Sequence, residues 1–231
     1  NRTVGLFLPT KVASRTAIPQ TPNLAEMIGD YKGRKTVAAG EAFDVAPANI
    51  EKHTIRTKLK DGIKVAMLPK KTRGEAVNLS LTLRFGTAET LGDKTVAGEF
   101  LPTLMTRGTS QLSRTQLNDR LAELRATLSG TGSSASAGIA GFSVKATRQT
   151  LPEVLTLLKQ VLREPTLPEK ELALIKQGAL AGLEKQKADP QSLAMNLLRR
   201  AFRPYPETDP RYEPTIEEEI ARVKALKRQH I

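Results

Sequence analysis

Residues 76–112 read AVNLSLTLRFGTAETLGDKTVAGEFLPTLMTRGTSQL, and the stretch changes period midway. From Ala76 to Phe85 every second residue is apolar, with Val77, Leu79, Leu81, Leu83 and Phe85 on one face. That alternation is the mark of a half-buried strand. From Val96 to Thr106 the spacing predicts a helix, with Pro102 inside it. A strand with one wet face belongs to an antiparallel sheet, because parallel strands are covered on both faces.

The flanks extend this reading. Lys52 to Leu59 (KHTIRTKL) alternates, Asp61-Gly62 makes a turn, and Ile63 to Leu68 (IKVAML) returns. With Ala76–Phe85 these predict an antiparallel meander with one buried face. On the other side, Ser113 and Gln116 form a capping box for a helix whose stripe is Leu117, Leu121, Leu124 and Leu128. The small, Gly-rich run Ser129 to Gly141 then reads as a flexible loop or strand edge leading into a strand, Phe142 to Ala146. Leu151 to Leu162 predicts a helix with Val154, Leu155, Leu158, Val161 and Leu162 inward, broken by Pro165 and Pro168. Glu169 to Lys187 predicts another helix. Asp189-Pro190 interrupts, and Ser192 to Phe202 continues. Pro204, Pro206, Pro210 and Pro214 make a loop before a last helix, Ile216 to Leu226. The order of elements implies an α+β fold: a mainly antiparallel sheet with helices packed on one face.

The N-terminal stretch reads differently. Thr3 to Leu8 (TVGLFL) predicts a buried strand stopped by Pro9. Residues 9–48, interrupted by Pro9, Pro19, Pro22 and Pro47, read as a tether between domains, with a short helix over Asn23 to Tyr31. The chain opens on Asn1 and runs out of a helix with no stop signal, so it is expected to be a piece of a longer protein. Residues 1–48 are then the end of one domain plus a linker, and residues 49–231 a second domain.

Composition excludes several chemistries. The 231 residues contain no Cys, so disulfides, thiolate metal sites and Cys nucleophiles are out. The two histidines, His53 and His230, cannot build a multi-histidine site. His53 falls in a strand pattern with no second His beside it. The net charge of +12 is spread along the chain and not gathered into a stripe, and aromatic residues are 4%. That pattern argues against a nucleic-acid groove or a basic membrane patch. No apolar run approaches the roughly 20 residues of a membrane span. The Gly-rich run 130–141 lacks the order of a phosphate loop, and no G-x-S-x-G occurs. Glu217, Glu218 and Glu219 read as a solvated helix N-terminus, and Lys70, Lys71 and Arg73 as a solvated loop tip. Taken alone, these residues show no catalytic constellation.

Four motifs carry a resemblance. Thr95 to Leu112 resembles the segment around the H-x-x-E-H helix of the pitrilysin/insulinase-like zinc peptidases, the inverzincins. Phe100 and Leu101 match the motif's interior, and Arg107-Gly108-Thr109 matches its end. Arg84-Phe85-Gly86 with Ala88 and Glu89 resembles the family's R-x-G-x-x-x-E strand end. Leu162 to Pro165, with Thr166 and Glu169, resembles its L-x-x-P-x-F-x-x-x-E junction. Asp189-Pro190 with Leu193 and Ala194 resembles its D-x-P-x-x-x-A break. The four stand in family order over residues 50–231, and the resemblance implies the LuxS/processing-peptidase-like metallopeptidase fold.

In that family two His and a distant Glu hold zinc, and the motif Glu is the general base. Here the first His position falls on Glu99, the Glu position on Pro102 and the second His position on Thr103. The distal ligand falls near Ala181 or Gly182. The resemblance thus implies a degenerate copy with no catalytic residue, no metal and no cofactor of its own. Family members have two similar halves closed round a chamber, and often only one half holds zinc. The expectation is a non-catalytic second-half domain, with its inter-half linker, of a bacterial, periplasmic or otherwise exported zinc protease. Its partners would be the zinc-bearing catalytic half, or a homologous subunit, and a peptide substrate, with no nucleic acid and no membrane span. The domain would form chamber wall and substrate contacts. A proteolytically silent structural subunit of the same fold is the alternative, and a basic nucleic-acid-binding domain a more distant one.

Overall fold

The computed structural model describes residues 39–133 and 137–231, with isolated positions before residue 39. The chain divides into two units, Asn1–Val37 and Ala38–Ile231, and every element below belongs to the second. The strand expected at Thr3–Leu8, and most of the tether with its helix at Asn23–Tyr31, lie outside the described residues.

Helix α1 (Pro47–His53) opens the unit. Strands β1 (Ile55–Lys58) and β2 (Lys64–Met67) form a hairpin. Strand β3 (Ala76–Arg84) is followed by the one-turn α2 (Ala88–Leu91) and by α3 (Thr95–Met105). Then come α4 (Arg114–Glu123), β4 (Thr127–Gly132) and β5 (Ile139–Thr147). Four more helices complete it: α5 (Leu151–Arg163), α6 (Glu169–Lys187), α7 (Pro190–Phe202) and α8 (Ile216–Ala225). The fold is α+β, as the periodicity implies.

The sheet differs from the expected meander. β3 pairs with β5 and β5 with β4, all antiparallel, giving the order β3-β5-β4. The β1–β2 hairpin stands apart as its own two-stranded sheet. Alternation gives a strand's facing but not its neighbour, because pairing is a long-range choice. Lys52 and His53 are helical, not extended. Pro47 starts the helix at its first turn, and the His53 ring bonds the Asn49 carbonyl one turn back at 2.8 Å.

One face of the three-stranded sheet is dry. Ala140, Phe142, Val144 and Ala146 of β5 are buried, while Ser143 and Lys145 between them are exposed. Against the dry face sit Leu117 and Leu121 of α4 and Val154, Leu157, Leu158 and Val161 of α5. Each such side chain buried contributes roughly 1.5–3 kcal/mol. Leu155 lies exposed and Leu157 takes its inward place, as the 3.6-residue stripe through Val154 and Val161 requires. Leu128 belongs to β4. The helix stops after Glu123 because Arg125 adopts a φ of 50°, and the chain turns into the strand.

A second apolar cluster joins Val96, Ala97, Phe100 and Leu104 of α3 to Leu172 and Leu183 of α6 and to Ile216, Ile220 and Val223 of α8. Asp189-Pro190 separates α6 from α7 as expected, and Pro190 sits in the first turn of α7. Asp189 caps it, accepting from the Ser192 N–H at 2.9 Å.

Candidate functional site

Helix α3 carries the positions where the resemblance places zinc chemistry, and it lies directly over edge strand β4. The approach is too close for side chains on the strand. A Cβ at Gly130 would come 2.1 Å from the Pro102 carbonyl oxygen, and one at Gly132 would come 2.4 Å from that of Glu99. The Gly-rich run is therefore in part an edge strand whose missing side chains admit a helix backbone. Residues 134–136 of that run lie outside the described residues.

The three motif positions have structural occupations. The Thr103 hydroxyl donates to the Gly130 carbonyl at 3.0 Å, pinning helix to strand. Pro102 is fully buried. It has no N–H, so the Gly98 carbonyl lacks its usual intrahelical donor. Glu99 is half-buried and lies close enough to Glu219 of α8 for its charge to act there. Burial pushes the Glu219 carboxyl above the ordinary glutamate range, and the charges of Glu99 and Glu213 push it further. Ala181 and Gly182 lie exposed on α6. A carboxylate, a proline ring, a hydroxyl and two positions without side-chain donors do not fit zinc, which takes nitrogen, sulfur and oxygen ligands in a closed tetrahedron. Among the described residues no group of three or more His, Cys, Asp or Glu is placed to hold a metal ion. A cleft of about 970 Å³ opens at the N-terminal end of α3, lined by Glu89, Lys94, Val96, Glu207, Arg222 and His230 among others. None of Glu99, Pro102 or Thr103 lines it.

The other matched segments also serve as joints. The Ser110 N–H donates to the Glu164 carbonyl at 2.9 Å and the Thr166 N–H to the Gly108 carbonyl at 3.1 Å. These bonds zip Arg107-Gly108-Thr109 to the junction after α5. The Phe85 ring, beside Gly86 with its φ of 71°, packs near Gly98 of α3.

Several polar residues escaped the sequence reading. Of the α8 acidic triplet only Glu217 is exposed, and Glu218 and Glu219 are half-buried. Glu218 closes a capping box with Thr215 and accepts from the Tyr212 hydroxyl at 2.9 Å. Glu213 accepts from Arg199 at 2.6 Å and Arg203 at 3.2 Å. The T-x-x-E spacing of Thr215 and Glu218 was available as a cap signal, whereas nothing local marks Glu213. The exposed His53 ring lies edge-on to Phe43, and Lys70 sits 4.8 Å from the centre of the same ring. His230 accepts from the Lys227 N–H at 3.1 Å.

Comparison with known proteins places this geometry. The family model described as insulinase (peptidase family M16) matches residues 65–215. A peptidase M16 inactive domain from Pseudomonas fluorescens is similar in fold, with 23% identity and a TM-score of 0.59, covering 74% of this chain and 42% of that one. The periplasmic protease PqqL from Escherichia coli is similar at 14% identity and a TM-score of 0.57, covering 96% of this chain and 22% of that one. A protease from Helicobacter pylori follows at 16% identity and a TM-score of 0.56, covering 77% and 41%. This chain therefore spans less than half the length of these solved structures. No curated protein matches it. The match over most of the chain, together with the α+β fold, makes the chain a member of the insulinase family, peptidase family M16.

Proposed function

We propose that this chain is a non-catalytic domain of a two-half zinc metalloendopeptidase, with peptide hydrolysis carried out by the zinc-bearing half. The observation that carries the reading is the state of α3. Its motif positions are held by Glu99, by the buried Pro102 and by Thr103, whose hydroxyl is spent on the Gly130 carbonyl. The similarity to a solved M16 inactive domain supports it. Residues 49–231 form the degenerate domain, and residues 1–48 are the end of the preceding domain and the linker. The domain acts by position, forming chamber wall and holding an extended peptide for the catalytic half. Export to the periplasm fits the fold likeness to a periplasmic protease. No helix among the described residues is long and apolar enough to cross a membrane.

The test is zinc per chain by elemental analysis, after dialysis against buffered zinc. Substoichiometric, readily lost zinc is the expected result. One tightly held zinc per chain would overturn the reading and reopen Glu99, His53 and His230 as ligands.

A further inference from the structure

Averaged over long stretches of chain the cations look evenly spread, but element by element they are not. Residues 52–73 hold eight Lys and Arg against one acid, Asp61, and so carry +7 of the chain's +12. All eight are exposed. Arg56 pairs with Glu51, and Lys70 sits over the Phe43 ring. Among the described residues none of the other six forms an ion pair. The hairpin also sets like charges face to face. Lys58 is the register partner of Lys64 across β1 and β2, with Arg56 two residues along on the same face. Like charges directly opposite destabilise a strand pair, and a counter-charge laid across them relieves the cost. Arg56, Lys58, Lys64 and Ala66 line a shallow hollow of about 490 Å³.

The tip of the hairpin adds a second feature. Gly62, with a φ of 84°, permits the turn, and the Leu59 N–H closes it by donating to the Ile63 carbonyl at 2.9 Å. Leu59 and Ile63 flank the turn and are 51% and 49% exposed. The tip thus ends in two apolar side chains beside Lys58, Lys60 and Lys64, with Asp61 the one opposing charge. These two features together select the partner. An acidic polypeptide would match the cations and leave the apolar tip in water. A single-stranded nucleic acid uses aromatic platforms, and residues 52–73 contain no Phe, Tyr or Trp. An anionic bilayer takes both features: its phosphates attract the lysines, and its interfacial layer receives the apolar tip. Lysine stems are long enough to keep their heads among the phosphates as the tip enters. We propose that the β1–β2 hairpin docks tip-first on an anionic lipid surface, with Lys58 and Lys64 on lipid phosphates and Leu59 and Ile63 in the interfacial layer. The contact is peripheral, needs no spanning helix, and is independent of the proposed role in peptide hydrolysis.

The test is sedimentation of the chain with vesicles of phosphatidylcholine, alone or with about 30% phosphatidylglycerol. Binding is expected to the anionic vesicles only, weakening as salt rises. Lys58→Gln/Lys64→Gln should lower the partition coefficient by about thirtyfold. Leu59→Ser/Ile63→Thr should lower it by about tenfold. All four side chains are exposed, so both variants are expected to melt with wild type. A second readout does not depend on the Leu59→Ser/Ile63→Thr variant folding. The chain has no Trp, so Leu59→Trp places a single emitter at the tip. Its emission should shift to the blue on anionic vesicles, and the shift should vanish when Lys58→Gln/Lys64→Gln is added. Equal binding to neutral vesicles, undiminished binding in the charge variant, or emission unchanged by anionic vesicles would each overturn the proposal. So would retention on polyglutamate or duplex DNA without vesicle binding, which would reassign the face to an acidic polypeptide or a nucleic acid.

Discussion

Gly130 and Gly178 show how little residue identity says without its surroundings. Both are glycines inside regular structure. A methyl at Gly130 strikes the Pro102 carbonyl, whereas nothing lies within 4 Å of one at Gly178 in α6. Gly130→Ala should therefore destabilise by about 2–3 kcal/mol, the cost of overpacking. Gly178→Ala should stabilise by roughly 0.5–1 kcal/mol, the helix preference for alanine. Urea midpoints moving in opposite directions would verify the pair. Glu219 gives a pH prediction. Its raised carboxyl means the folded protein holds a proton that the unfolded chain has released in the window above the ordinary glutamate range. Stability thus declines as pH rises through that window. Glu219→Gln should remove the decline and leave the variant the more stable form above it, read from urea midpoints between about pH 4 and 8. Neither residue's role was legible locally. The Gly-rich run showed that side chains were missing, but not that a helix needed the space. The spacing of Glu217, Glu218 and Glu219 gave no hint that the third lies within reach of the charges of Glu99 and Glu213.

At the scale of elements, periodicity was a good guide where one face of an element meets one core. β3, α5 and α6 fall close to their expected bounds, and the order of elements holds from α3 to α8. The errors lie where a neighbour decides. Leu128 continued a helical stripe until the positive φ at Arg125 ended it. The hairpin looked like part of the main sheet because alternation does not encode pairing. Helix α7 starts at Pro190, ahead of its expected start at Ser192, because the Asp189 side chain caps it there. The family-like motifs were legible because they are joints: backbone bonds between residues 108–110 and 164–166 need their local geometry whatever becomes of the chemistry. Breaking the pin between α3 and β4 tests that view. Thr103→Val removes the hydroxyl and leaves the Gly130 carbonyl under-satisfied, for a loss of about 1–2 kcal/mol measured by chemical denaturation.

Across the whole unit, α3 joins two apolar clusters. Phe100 and Leu104 enter the cluster with α6 and α8, while Met105 packs against the cluster under the sheet. Leu104 is fully buried, so Leu104→Ala should cost about 3 kcal/mol. Because α3 is shared, the loss should appear as one earlier transition. Hydrogen exchange in residues 117–124 and 216–226 should rise together, and exchange rising in one segment alone would show the clusters to be independent. The hairpin has a different kind of consequence. Ile55 pairs with Met67 and Thr57 with Val65 on one exposed face, while Arg56, Lys58 and Lys64 occupy the other. Such a strand pair is a template for intermolecular β-addition, and its cations act as gatekeepers against that growth. Gatekeeping by charge is only as strong as the solvent is poor in ions. Colloidal behaviour should then follow ionic strength: light scattering stays flat in dilute buffer and climbs as salt screens the lysines, well before the helical core loosens.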